Sequence, residues 1–137
     1  MSVAPATATA PTSVRTFRIA STLALAGGAV LLVKGLTGAI AADALPDAAF
    51  GVLYLTGIAL VVAASVAVGA LQRRWPLKVL VAVAAAFGSV MWLMGLGEVL
   101  EAAVAGITDS RSAQEEAPVV ALGVVWLAVG LRLRRDR

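Results

Sequence analysis

Long apolar runs alternate with short polar segments along this chain of 137 residues. Four runs are candidate membrane-spanning helices, at about residues 19–42, 48–71, 77–103 and 117–133. A helix needs about 20 apolar residues to cross a bilayer. The first run reaches that length only when it is counted through Lys34, and the last spans only if it stands nearly upright. The pattern predicts an all-α integral membrane protein, an antiparallel (up-down-up-down) four-helix transmembrane bundle.

The third run contains nineteen residues without a charge, from Val79 to Gly97, followed by two carboxylates. One helical face of this run carries residues at spacings of four, three, four and three: Phe87, Met91, Met94, Glu98 and Glu101. The phenylalanine and the two methionines are expected to pack against other helices rather than to bind a ligand, because methionine fills irregular gaps.

Two further features belong to the interior of the third and fourth runs. Trp92 and Trp126 lie at similar depth and are expected to pack against neighbouring helices, with each indole N–H seeking a hydrogen-bond partner. Gly95 and Gly97 are expected to loosen the third helix just before its carboxylates.

Polar segments set the limits of the helices. Residues 1–14 are rich in Ala, Thr and Pro and are predicted to form a disordered tail, so that the membrane domain covers 15–137. Residues 106–116 are predicted to form a polar loop. Ser112 and Glu115 have the spacing of a capping box there, while Pro118 offers a competing helix start.

The first run has a second interpretation. A basic start, an apolar region of about fifteen residues and the small residues Ala39 and Ala41 are also typical of a cleaved signal peptide. Lys34 and the tight turn at residues 43–47 favour a retained helix instead.

The basic residues are distributed asymmetrically. In a four-span arrangement nine of the eleven fall on one side: Arg15, Arg18, Arg73, Arg74, Lys78, Arg132, Arg134, Arg135 and Arg137. By the positive-inside rule both termini are predicted to be cytoplasmic, in the plasma membrane. The net charge of +3 therefore reflects topology and attraction to anionic lipid, and no nucleic-acid partner is expected.

Composition narrows the chemistry. Hydrophobic residues make up 61% of the chain and charged residues 14%, whereas soluble domains are about 45–50% apolar. With no Cys and no His, the chain offers no disulfide, thiol redox centre or Cys/His-ligated zinc or haem site. No nucleotide-binding loop or nucleophile elbow is present, so no cofactor, metal or catalytic residue is predicted. Richness in Ala, Val, Leu and Gly suggests GC-rich coding and a bacterial source.

Candidate site residues come from depth along the helices. At 1.5 Å per residue, Lys34, Tyr54 and Glu98 lie about 12, 10 and 7 Å inside the predicted outer surface. Lys34 shares a face with Gly27, Leu31 and Gly38, which should point into the bundle. An isolated charge at mid-bilayer costs about 2.5–3.5 kcal/mol, so Lys34 is expected to pair with Glu98, or secondarily with Glu101. The pair would be either a polar site on an ion pathway or a structural contact.

Two classes of function follow. One is a structural, accessory or assembly protein acting through helix–helix contacts in the bilayer, as a homo-oligomer or with other membrane subunits. The alternative is a small transporter or channel-like module using Lys34, Tyr54, Glu98 and Glu101. An enzyme is less favoured, because nothing in the sequence organises these groups for acid–base chemistry.

Overall fold

The computed structural model describes the backbone of residues 3–41, 43–96 and 98–135, and the side chains of 14–41, 43–95 and 98–135. The described chain is helical apart from short turns. Its elements in order are α1 (Val3–Ile40), α2 (Asp47–Ala70), α3 (Trp75–Met91), a π-helical segment (Trp92–Leu96), α4 (Glu98–Ala105) and α5 (Arg111–Arg135).

Four helices are long and apolar enough to cross a membrane: Val14–Ile40, Asp47–Ala70, Trp75–Gly95 and Arg111–Arg135. They coincide with the four runs predicted from the sequence, which confirms an all-helical protein with four candidate spans and supports its assignment to a membrane.

The starts of the first and last helices differ from the predicted ones. Helix α1 begins at Val3, inside the predicted tail, so the Ala residues of that stretch outweigh the low helix propensity of its Thr and Pro residues. The division into a tail and a membrane domain stays a prediction. Helix α5 begins at Arg111, six residues before the predicted start, so residues 111–116 are helical instead of forming a loop.

The third span changes its helical geometry near its end. Trp92–Leu96 forms a π-helical segment, after which the chain resumes as α4 from Glu98. The segment contains Gly95, so the predicted loosening of the helix is found there, whereas Gly97 lies outside the described residues. A π segment has a wider turn than an α-helix and is rare enough to mark a specific local requirement.

Helix α1 is the central element, since it packs against both α5 and α2, while α2 also packs against α3. Along α1 and α5 the contacting residues run in opposite order: Leu25 with Gly130, Gly28 with Gly123, Gly35 with Val120, and Gly38 with Glu116. A Cβ built on Gly28 would lie 2.7 Å from the carbonyl oxygen of Gly123, so the two backbones touch. Glycine on both helices permits this approach.

The buried apolar cluster is built by α1, α2 and α5: Ala24, Leu31, Val61, Ala64, Val119, Leu122 and Trp126. Helix α3 stands at the margin of this core. In its most apolar stretch 6% of residues are buried, compared with 22–33% in the other three spans.

The expected packing of the α3 face is not found within the described chain. Phe87 is 65% exposed, Met91 36% and Met94 74%. Helix α3 packs mainly against α2 at the margin of the core, and this face points away from it.

Candidate functional site

An ion pair joins α1 to α5 within the first candidate membrane span. The Nζ atom of Lys34 lies 2.7 Å from both carboxylate oxygens of Glu116. The two side chains are 14% and 17% exposed. Short contacts to both oxygens are typical of charge-assisted hydrogen bonds, and the limited exposure strengthens the attraction because less water screens it.

Helix α2 contributes an aromatic ring to the same site. The Lys34 Nζ atom lies 5.4 Å from the centre of the Tyr54 ring, within the range of a cation–π contact. Three helices therefore meet at one ammonium group. This contact brings together two residues for which the sequence predicted a similar depth.

A glycine makes room for the carboxylate. A Cβ built on Gly38 would lie 2.7 Å from the Glu116 Oε1 atom and 2.8 Å from its carboxyl carbon. One turn deeper, a Cβ on Gly35 would lie 2.6 Å from a Val120 methyl group. Any larger residue at Gly38 would displace the acceptor of Lys34, so the glycine positions the ion pair as well as the helices.

The predicted pairing of Lys34 with Glu98 is wrong, because Lys34 pairs with Glu116. Glu98 is exposed in the first turn of α4 and Glu101 is half-buried in the same turn. Neither carboxylate forms a salt bridge with the described part of the chain. A role for Glu98 and Glu101 in a pathway stays a prediction.

Glu116 was missed because the sequence analysis placed it in a loop. Ser110 supplies the signal that corrects this, since its hydroxyl accepts a hydrogen bond from the Ala113 amide at 3.3 Å. That is the contact of a helix N-cap with its third residue. With the helix starting at Arg111, Glu116 lies five residues inside it, or about 8 Å along the axis. Lys34 lies six residues before the end of α1, at about 9 Å.

A small polar cleft of about 250 Å³ adjoins the ion pair. It is lined by Lys34, Gly38, Asp47, Phe50, Ser112, Glu115 and Glu116. Deeper in the bundle the cleft gives way to contact between Gly35 and Val120 and to the fully buried Leu31. The ion pair thus lies at the floor of a cleft that opens toward the turn between α1 and α2.

Two indoles tie the third span to α5. Trp92 Nε1 donates to the carbonyl oxygen of Pro118 at 2.9 Å, and Trp126 Nε1 donates to the Ser89 hydroxyl at 3.1 Å. These bonds confirm the expectation that each indole N–H finds a partner. Trp92 is the first residue of the π-helical segment, so the segment begins where the third span is fastened to α5.

The chemistry available at the site is that of a lysine, a glutamate and a phenol. Among the residues that the structure describes, no group of three or more His, Cys, Asp or Glu side chains could hold a metal ion. A closed lysine–glutamate pair can fix helix register, and a pair next to a polar cleft can also exchange partners with a small charged ligand.

Comparisons with protein-family models, with curated proteins and with solved structures gave no match.

Proposed function

We propose that this protein is a structural or accessory membrane protein that acts through helix–helix contacts made by α3. In this proposal the four spans cross the plasma membrane in antiparallel order, with both termini in the cytoplasm. The opposite order of contacts along α1 and α5 supports the antiparallel arrangement. The low burial of α3, compared with the other three spans, is the observation that carries the function.

The interior of the bundle supports this choice over transport. Helices α1 and α5 touch at backbone distance through Gly28 and Gly123, and Leu31 is fully buried. Packing of this kind favours a fixed scaffold, because a change of access would have to separate helices that are already in van der Waals contact.

The exposed side of α3 offers what membrane helix association requires. Leu80, Val83 and Phe87 are 59–65% exposed, and a Cβ built on Gly88 would meet nothing within 4 Å. Helices associate in lipid by close van der Waals packing, which small residues permit. The partner would be a second copy of this chain or another membrane subunit.

The test is site-specific photo-crosslinking in native membranes. A photoreactive amino acid replaces Phe87 on α3 or, as a control, Leu55 on α2; the two side chains are 65% and 66% exposed. We expect a discrete crosslinked protein from position 87 and lipid adducts alone from position 55. Lipid adducts alone at both positions would contradict the proposed role of α3.

A second candidate, a transport module, is favoured by one observation: Lys34 and Glu116 lie at the floor of a polar cleft. Charged residues inside membrane spans often mark ion or proton pathways. If the protein is a transport module, a variant that lacks the charges of both Lys34 and Glu116 should fold but should fail to restore the normal phenotype to cells from which the gene has been deleted. If the protein is a scaffold, the same variant should restore the normal phenotype.

A further inference from the structure

A second polar cleft lies between α1 and α5, at the end of the bundle opposite Lys34. It has a volume of about 390 Å³ and is lined by Arg18, Ser21, Thr22, Leu25 and Arg134. Arg18 and Leu25 each lie three or four residues from Ser21 and Thr22, so the four α1 residues share the face that meets α5.

Packing at Gly130 holds the two arginines around this cleft. A Cβ built on Gly130 would lie 2.7 Å from the Leu25 Cγ atom, so Leu25 fills the space where α5 has no side chain. Arg134 follows one turn later on the same face of α5, and Arg18 lies two turns before Leu25 on α1. The contact that closes the bundle there thus brings a guanidinium from each helix to one opening.

The donors of this cleft have no acceptor from the described part of the chain. Ser21 is 3% exposed, and its hydroxyl makes no hydrogen bond with any described residue. None of the described residues that line the cleft carries a carboxylate. The described acidic residues belong to the α1–α2 turn, the start of α2, α4, the α4–α5 turn and the start of α5, which lie toward the other end of the bundle.

We propose that this cleft binds a phosphate group, and specifically the headgroup phosphate of an anionic phospholipid. Guanidinium and hydroxyl groups are strong donors to phosphate oxygens, and basic pockets between membrane helices hold such headgroups. Leu25 at the floor and the apolar run that begins at Ile19 place the cleft where a headgroup meets the hydrocarbon. A lipid is therefore favoured over free phosphate.

The test measures binding of single phosphatidylglycerol molecules to the purified full chain in detergent by native mass spectrometry. The double variant Arg18→Gln/Arg134→Gln is compared with Arg73→Gln/Arg74→Gln, which removes the same charge from the turn between α2 and α3. We expect the cleft variant to bind about 10- to 30-fold more weakly, because it loses two charged donors that line the cleft, whereas Arg73 and Arg74 do not line it. The control should stay within about twofold of the wild type.

A neutral substitution separates the cleft from general charge. Ser21→Ala keeps every arginine and should weaken phosphatidylglycerol binding about fivefold or more, because a buried donor to a charged group is lost. Equal weakening in the cleft and control double variants, or unchanged binding in Ser21→Ala, would overturn the proposal.

A competition arm distinguishes the two sources of phosphate. Millimolar inorganic phosphate should leave bound phosphatidylglycerol in place if the ligand is a lipid. Displacement by inorganic phosphate that depends on Ser21 would overturn the assignment to a lipid and identify the ligand as a soluble phosphate.

Discussion

At the scale of residues, Lys34 places a positive charge inside the helical bundle, and this charge requires partners. Its side chain is 14% exposed within a candidate membrane span, and its ammonium group contacts both oxygens of Glu116 and the Tyr54 ring. Such a pair contributes little net stability, because removing both charges from water costs about as much as their attraction returns. Its effect is on specificity, since any arrangement that separates α1 from α5 leaves a charge without a partner.

The first prediction concerns this coupling. Lys34→Met and Glu116→Gln should each destabilise the protein by about 1–3 kcal/mol, less than a fully buried pair because the cleft admits some solvent. The double variant should be more stable than the worse single variant, since it leaves no unpaired charge. Thermal midpoints of the three variants in detergent measure the effect.

Arg111 and Glu115 provide the control for this cycle. They form a salt bridge at 3.0 Å one turn apart on α5, but their side chains are 89% and 59% exposed. Removing either should leave the midpoint nearly unchanged, because solvent screens exposed pairs. Additive losses at Lys34 and Glu116 would show that the two do not interact.

The sequence singled out Lys34 and Tyr54, which the structure brings together, but it did not identify the partner of the lysine. Lys34 is conspicuous because it interrupts an apolar run, and its depth follows from counting residues. Glu116 lies among polar neighbours, so hydropathy places it outside the membrane, and only the Ser110 cap shows that it belongs to a helix. Which carboxylate meets the lysine depends on the packing of α1 against α5 and not on the sequence of either helix alone.

At the scale of helices, the space around each glycine distinguishes close helix contacts from open helix faces. Those of α1 and α5, and Gly57 and Gly69 of α2, each lie where a Cβ would come within about 3 Å of another helix. Gly88 of α3 meets nothing within 4 Å. Gly51 near the start of α2 likewise meets nothing within 4 Å, so the contrast distinguishes helix surfaces at which only glycine fits from surfaces that are open to lipid or to a partner.

The second prediction compares two identical substitutions. Gly123→Ala should destabilise the protein by about 1–3 kcal/mol, because the new methyl group would lie 2.9 Å from backbone atoms of Gly28 and Leu32 and would force the helices apart. Gly88→Ala should leave the stability unchanged or raise it slightly, since alanine favours the helix. Circular dichroism melts in detergent measure both, and an equal loss at Gly88 would contradict the open α3 face.

Hydropathy predicted the four spans and the α1–α2 turn, because these depend on composition over some twenty residues. It did not predict the π-helical segment at Trp92–Leu96. Gly95 and Gly97 indicated a weak point there, but the segment also coincides with the bond from Trp92 to the Pro118 carbonyl, a contact made only in the folded bundle. Hydropathy also missed the start of α5, because a single N-cap residue, Ser110, determines where that helix begins.

At the scale of the whole molecule, charge is segregated along the axis of the bundle. The described carboxylates gather at the end that contains the α1–α2 and α4–α5 turns, and most arginines gather at the end that contains the α2–α3 turn. The two polar clefts follow this division, with Glu115 and Glu116 in one and Arg18 and Arg134 in the other. This segregation of charge predicts a single orientation in a membrane.

The last prediction is that orientation. Basic residues near span ends are retained in the cytoplasm, so the Arg73–Arg74 turn and the C-terminus should lie inside and the α4–α5 turn outside. A fluorescent reporter fused after Arg137 should be active, as should one inserted after Arg73. Alkaline phosphatase inserted after Ile107, which is 86% exposed, should be active because it folds only outside. If the sites after Ile107 and Arg137 report the same side, α5 does not cross the membrane.

N-terminal sequencing of the same preparations tests the signal-peptide interpretation. A mature chain that starts at Ala42 would lack Lys34, which would leave three spans and would leave Glu116 without its partner.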